Sequence, residues 1–310
     1  MKYVVSGYIG FDNFGDEAIQ CVLTKKLKSD GAEKITLISS NPKKTAELYG
    51  VNSCPMLKFL PSILESDVLI SGGGSLLQDV TSLKSLIYYL SVIYSALIFG
   101  KKVEIFAQGI GPINSKIGQF LTKFALKRAD KITVRDIKSQ ELLQSWGIKS
   151  DLVKDPVFEL ELPRKNNKGI VGVQLRKFDG VNEEFLDKLA NEVYKRFSDK
   201  KIVILSLQDN IDSDICGNFS EKLKNKGLTN IEVLKELSVN DVIDVISDME
   251  YLIAMRFHAN VIGIKSGVKT LAVNYDPKVE KLAKEYNLPM INPADEDISK
   301  QFDRLCLPLN

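Results

Sequence analysis

The sequence predicts an α/β protein built as two doubly wound units facing each other across a cleft. Three observations carry that prediction. Short apolar runs of strand length alternate with amphipathic stretches of helical length along the chain, which is the pattern of mostly parallel sheets covered on both faces. The alternation lapses once, at 161–168 (ELPRKNNK), and then restarts. Glycine-bearing and charged motifs fall just after the apolar runs, where ligands bind in such sheets.

Taken in order, 3–6, 35–39, 68–71, 103–107 and 132–134 read as strands, and 16–28, 83–99, 117–127 and 137–146 as helices. Gly147, directly after Trp146, is a helix stop. Past the lapse, 169–175, 202–207, 231–233, 251–254 and 270–273 read as strands, and 183–197, 214–226, 239–246 and 277–286 as helices. The proline-bearing tail after Asn287 is expected to pack back on the first unit. The expected division is therefore 1–162, 163–290 and a tail of 291–310.

At 310 residues, 44% hydrophobic and 26% charged, the chain has the make-up of a soluble globular protein of two ordinary domains. A formal charge of +2, with both signs mixed along the chain, argues against a nucleic-acid partner. Cys21, Cys54, Cys216 and Cys306 show no CxxC spacing, so neither a zinc centre nor a disulfide framework is expected, and a reducing cytosol is. The opening MKYVVSGYIG reads as a first strand rather than a signal peptide. The stretch 85–100 (SLIYYLSVIYSALIFG) is uncharged but shorter than the roughly 20 residues a spanning helix needs. It reads as an interior helix, with a membrane-facing helix as the competing reading.

The chemistry-bearing motifs follow the strands. GYIGFDNFGDE, after the first, combines turn glycines with Asn13, Asp16 and Glu17, which suit caps or contacts to a hydroxyl-rich substrate. It matches the dinucleotide fingerprint GxGxxG poorly. SGGGSLLQD offers the backbone of Gly73 and Gly74 and the Ser75 hydroxyl at an expected helix start, with Asp79 one turn later. No Lys-Ser or Lys-Thr pair follows, so it is not a P-loop. AQGIGPI places Gln108 at a strand exit, and TVRD places Arg135 at another, where an ion pair with Asp136 or Glu141 is the competing reading. VQLRKFD puts Arg176 just past a strand, two residues after Gln174. LSLQDN reads as a solvated loop, and NYDPKV, with Tyr275, Asp276 and Lys278, as a turn and helix start.

The chain has one histidine, His258, in AMRFHAN. Imidazole is the side chain that changes charge near neutral pH without perturbation, so any such chemistry here rests on one residue. Arg176, Arg256, His258 and Lys278 form a cationic set at strand exits of the second unit. Arginine forks match carboxylate and phosphate, so a small polyanion carrying both groups fits this set. An anion beside His258 would favour the protonated imidazole and a general-acid role.

In order, GYIGFDNFGDE, SGGGSLLQD, AQGIGPI, TVRD, KDPVF, QLR, AMRFHAN and YDPKV resemble the polysaccharide pyruvyltransferase family, and most closely its CsaB-like branch. The resemblance runs from about Tyr3 to about Tyr286. It implies two Rossmann-like units arranged as in GT-B glycosyltransferases, the first on the acceptor side and the second on the donor side. It implies transfer of the pyruvyl group of phosphoenolpyruvate onto two hydroxyls of one sugar as a cyclic ketal. In that branch the acceptor is N-acetylmannosamine in a lipid-linked precursor of a secondary cell-wall polymer. No cofactor or metal is expected beyond the donor substrate, and the implied place is the cytoplasm at the inner face of the membrane.

By motif, the resemblance assigns Arg176 and Arg256 to donor binding and catalysis and His258 to catalysis. Phe257, Lys278 and Arg135 stand with the donor set. Asn13, Asp16, Glu17, Gly73, Gly74, Ser75, Asp79 and Gln108 are the acceptor-side candidates. Phe257 replaces a common leucine of the family, and Lys177 a common proline. The competing readings are a GT-B glycosyltransferase using a nucleotide sugar and a non-catalytic sugar- or anion-binding protein.

Overall fold

The computed structural model describes residues 1–163 and 166–307. Arg164 and Lys165 of the expected boundary, and 308–310 of the tail, lie outside the described residues. Two compact units are present, Met1–Leu160 and Glu161–Asn310.

The first unit runs β1 (Lys2–Ser6), α1 (Phe14–Ser29), β2 (Lys34–Ser39), α2 (Pro42–Tyr49), β3 (Asn52–Pro55), α3 (Leu60–Glu65) and β4 (Val68–Gly72). It continues α4 (Leu83–Ile98), β5 (Lys102–Gln108), α5 (Lys116–Leu126), β6 (Lys131–Val134), α6 (Ile137–Ser145) and β7 (Asp151–Leu152). The second runs β8 (Ile170–Gln174), α7 (Glu183–Phe197), β9 (Lys201–Leu205), α8 (Asp209–Asn225), β10 (Ile231–Leu234) and α9 (Val239–Ser247). It ends β11 (Met249–Ala254), α10 (Phe257–Lys265), β12 (Lys269–Val273), α11 (Pro277–Glu285), β13 (Met290–Ile291) and α12 (Ser299–Cys306).

Both sheets are parallel throughout, in the orders β3-β2-β1-β4-β5-β6-β7 and β10-β9-β8-β11-β12-β13. Each winds outward from its first strand, then jumps back across it to wind the other way. The reversal falls between β1 and β4 in the first unit and between β8 and β11 in the second. In open α/β sheets the crevice at such a reversal is where ligands sit.

The strands are buried on both faces, as the unbroken apolar runs require. In the second sheet Val171, Val173, Ile202, Ile204 and Ile253 pack under α7 and α8, beside Phe185, Phe197 and Phe219. Ala272 packs on the other face, against Val279 and Ala283 of α11. Sequence patterning missed β3, β7 and β13, which are short edge or near-edge strands; β3 and β7 carry hardly any buried apolar residue. It also missed α2 and α3, which bury little, and α10 and α12, which do bury core residues but are only nine and eight residues long.

Two expectations are corrected here. The tail packs on the second unit: Ile298, Phe302 and Leu305 join the core under α7 and α8. Each such side chain taken from water is worth about 2 kcal/mol. Arg196 of α7 clamps the helix by donating to the Ser299 carbonyl (3.2 Å) and the Asp303 carboxylate (2.6 Å). The stretch 85–100 is an interior helix on one side only. Leu86, Leu90, Ile93 and Ala96 of α4 are buried, whereas Leu83, Ile87 and Ile98 are exposed. No helix among the described residues is long and apolar enough to cross a membrane.

Candidate active site

The reversal in the second sheet brings together residues some 80 positions apart. β8 and β11 pair in register, Gln174 beside Ala254. Just beyond the strands the Met255 amide donates to the Gln174 carbonyl (3.1 Å), and the Arg256 amide to Gln174 Oε1 (2.8 Å). Gln174 therefore ties the two strand ends together with both its backbone and its fully buried side chain. Arg176 and Arg256 leave the sheet side by side, and the Arg176 amide points at Met255 Sδ (3.2 Å).

Arg256 has a structural task. Its Nε donates to Asp212 Oδ2 and its Nη2 to Asp212 Oδ1, both at 2.7 Å, and Nη2 also reaches Gln208 Oε1 at 3.0 Å. Arg256 is 7% exposed and Asp212 fully buried. Such a two-pronged, desolvated pair fixes the guanidinium plane. Among the described residues Nη1 makes no hydrogen bond, so two N–H groups of the fork remain for a ligand. The expectation of a solvated loop at LSLQDN is corrected: Gln208 is buried and holds Arg256. Asp212 escaped the sequence reading because α8 starts at Asp209, ahead of the expected 214, which folds Asp212 into the first helical turn.

Arg176 is only partly buried. Its Nη1 approaches the Tyr275 hydroxyl (3.4 Å), and its guanidinium lies 5.5 Å from the Tyr275 ring centroid. Among the described residues no carboxylate holds it as Asp212 holds Arg256. His258 is the second residue of α10, partly buried, with its Nε2 atom shielded from solvent. The Phe257 ring stands edge-on to it, 5.1 Å away. Arg256 is the residue before α10 and supplies no side-chain cap, and a helix start of this kind favours an anion. Asn260 braces the turn, donating to the Ala254 and Arg256 carbonyls at 3.0 Å. Lys278 is exposed on the first turn of α11, which Asp276 caps.

In the first unit the reversal carries the glycine loops. A Cβ on Gly74 would lie 2.6 Å from Asp16 Oδ1, and one on Gly73 2.2 Å from Ile19 Cγ2, so both glycines are needed for the approach of α1. Asn13 caps α1. Glu17 is buried, accepting from the Gly10 amide (2.7 Å) and from the Tyr49 hydroxyl. Burial holds its carboxyl above the usual range, against the pull of those two hydrogen bonds. Gln108 is fully buried, with Nε2 on Ser71 Oγ (2.7 Å) and Oε1 lacking a hydrogen bond among the described residues.

Three readings of this unit change. No helix begins at the triple glycine; α4 starts at Leu83, capped by Ser82. Asp79 instead accepts the Asn114 and Ser115 amides, both at 2.7 Å, which hold its carboxyl below the usual range. Arg135 pairs with neither Asp136, which caps α6, nor Glu141. It donates to Asp155 Oδ2 (2.7 Å) and Ser75 Oγ (3.2 Å), joining three strand exits. Among the described residues no cluster of three metal-ligating carboxylates, thiols or imidazoles occurs.

The family profile described as Polysaccharide pyruvyl transferase matches residues 13–277. The chain belongs to this family. It is thereby a transferase, and the match takes in the second reversal whole, with the motifs from SGGGSLLQD to AMRFHAN. No curated protein matches the sequence. Among solved structures, a UDP-GlcNAc 2-epimerase from Neisseria meningitidis bound to UDP-GlcNAc is similar at 11% identity, with TM-score 0.63, covering 98% of this chain and 91% of that one. The UDP-GlcNAc 2-epimerase of Methanocaldococcus jannaschii is similar at 10% identity, TM-score 0.64, with 98% and 90% covered. A glycosyltransferase from Rickettsia africae ESF-5 gives 14%, TM-score 0.62, 98% and 88%. These likenesses establish the fold, the two-unit α/β class of GT-B-like enzymes.

Proposed function

We propose that this family member moves the pyruvyl group of phosphoenolpyruvate onto two hydroxyls of one saccharide unit, closing a cyclic ketal and releasing inorganic phosphate. The acceptor we propose is N-acetylmannosamine of a lipid-linked cell-surface polymer precursor, as in the CsaB-like branch the sequence resembles, and the reaction takes place in the cytoplasm. One observation supports the reading: Arg176 and Arg256 follow the paired ends of β8 and β11, and His258 lies in the first turn of the helix that Arg256 precedes.

The chemistry matches that set. The donor carries a carboxylate and a phosphate on one enol carbon, and two arginines beside a helix N-terminus can hold both. A proton added to the methylene carbon gives a methyl group and an oxocarbenium-like centre at C2. One sugar hydroxyl oxygen bonds to C2, the C2–O bond to phosphate breaks, and the second hydroxyl closes the ring; of the two hydroxyl protons, one balances the proton given to the methylene carbon and the other leaves on phosphate. His258 is the proton donor, to the methylene carbon or to the departing phosphate. Positioned cations stabilise charge in the transition state better than in the ground state. On the acceptor side, Asp16, Ser75, Gly73 and Gly74 are the contacts this reading keeps. Glu17, Asp79 and Gln108 serve the fold of their loops.

The test is phosphate release from phosphoenolpyruvate with a saccharide acceptor, for wild type, His258→Ala and His258→Gln. Both variants should fold and lose about 10²–10⁴ in turnover. Near wild-type turnover in either would remove His258 from the chemistry. Several structural neighbours are solved with UDP or UDP-sugars. UDP release from a nucleotide sugar without phosphoenolpyruvate would favour the glycosyltransferase reading.

A further inference from the structure

The outer face of the first unit carries an apolar surface that the proposed chemistry does not use. On α4 the outward stripe is Leu83, Ile87 and Ile98, the last 77% exposed. On α5 it is Ile117, Phe120 and Phe124, one stripe at helical spacing, with Ile117 69% and Phe120 67% exposed. The two stripes are continuous. Phe120 and Phe124 lie 6.3 Å apart, Phe124 and Tyr94 of α4 6.1 Å, and the Tyr94 hydroxyl donates to the Leu121 carbonyl of α5. Leu60 and Leu64 of α3, packed beside α4, extend the surface. Single exposed apolar residues are ordinary, but large side chains gathered across three adjacent helices mark a contact surface.

Its charge says what it meets. Between Asp79 and Asp130 the sequence has one acidic residue, Glu104, on strand β5. Over the same span Lys84, Lys116, Lys123, Lys127 and Arg128 sit on or beside α4 and α5. None of these five makes an ion pair among the described residues, and the Arg128 guanidinium lies 3.5 Å over the Phe124 ring. An apolar face bearing exposed phenylalanines and a rim of cations that carboxylates do not neutralise is complementary to an anionic bilayer surface. A protein partner would need acidic groups and a matching apolar patch together. A second copy of this chain would bring the same positive rim against itself.

We propose that the α4–α5 face, with α3, lies on anionic membrane lipid and holds the first unit at that surface, its helices in the interfacial plane. This stands apart from the reaction proposed above, and its test needs no substrate. Sedimentation with vesicles of phosphatidylcholine containing phosphatidylglycerol, and with phosphatidylcholine alone, should show binding to the first, falling as salt rises. Ile117→Ser with Phe120→Ser should lower that binding at least about tenfold, and Lys116→Glu with Lys123→Glu should weaken it and flatten the salt dependence. Neither pair belongs to the proposed site, so turnover on a water-soluble acceptor should be unchanged. Failure to bind anionic vesicles would overturn the proposal. So would a wild-type dimer in analytical ultracentrifugation that the Ile117/Phe120 variant converts to monomer without change in vesicle binding.

Discussion

Arg256 and Asp212 form a two-pronged ion pair, Nε to Oδ2 and Nη2 to Oδ1 at 2.7 Å each, with Asp212 wholly shielded from water. The arginine just past β11 is thereby held by the helix that follows β9. The same residue has to serve as a fold contact and offer its remaining Nη1 edge to a ligand. Removing Asp212 would leave a buried guanidinium uncompensated. Asp212→Ala should cost about 3–5 kcal/mol, and Asp212→Asn less, because an amide oxygen still accepts one of the bonds. Urea denaturation midpoints at constant slope check this, and equal midpoints for wild type and Asp212→Ala would refute it.

Arg176 should behave in the opposite way. Among the described residues its side chain makes one long hydrogen bond, to Tyr275, so Arg176→Lys should change stability by less than about 1 kcal/mol. Loss of the planar fork should weaken phosphoenolpyruvate binding about tenfold, the worth of one charge-assisted hydrogen bond. Titration calorimetry with the donor, beside a thermal melt, separates the two effects. An unchanged donor affinity would remove Arg176 from the binding set.

Glu17 gives a pH signature. Its folded carboxyl is held above the ordinary carboxylate range, chiefly by burial. The native state therefore binds more protons than the unfolded chain just above the ordinary range, and stability falls as pH rises from there through the raised value. Glu17→Gln removes that loss while keeping acceptor and donor groups for the Gly10 amide and the Tyr49 hydroxyl. The variant's stability should depend less on pH through this window and match or exceed wild type at neutral pH. Turnover should persist, which also checks that Glu17 is not the base for the sugar hydroxyls.

The triple glycine gives a steric test with an internal control. Gly73 has φ +63°, and an added Cβ would meet Ile19 Cγ2 at 2.2 Å. Gly147 has φ +71° with nothing within 4 Å. Gly147→Ala should cost only the backbone term, about 1–2 kcal/mol, whereas Gly73→Ala adds overpacking of about 1–3 kcal/mol. Equal losses would mean that α1 shifts freely over the loop.

The strand-exit motifs were legible because each is local. An apolar run followed by Gly, Arg or His states its own role, and β8, β11 and β12 end within two residues of their expected limits. The partners were not legible. Asp212 lies 44 residues from Arg256, and Asp155 lies 20 from Arg135 and 80 from Ser75, with nothing in either stretch to mark the pairing. Edge strands such as β3 escaped notice because their stability comes from a neighbouring strand's backbone, which leaves little trace in side-chain pattern.

By itself the sequence determined the alternating two-unit α/β class, the resemblance that the family profile bears out, and the presence of a lone histidine beside an arginine past a strand. Tertiary structure alone decided that β8 lies against β11, so that Arg176 emerges beside Arg256, and that Asp212 occupies three of the five arginine N–H groups together with Gln208. It also decided that α12 closes the second core. The reason is physical. Burial periodicity is written residue by residue along each element, whereas the choice of neighbouring strand and of ion-pair partner is a long-range competition among many apolar runs and carboxylates, settled only when the sheet is assembled.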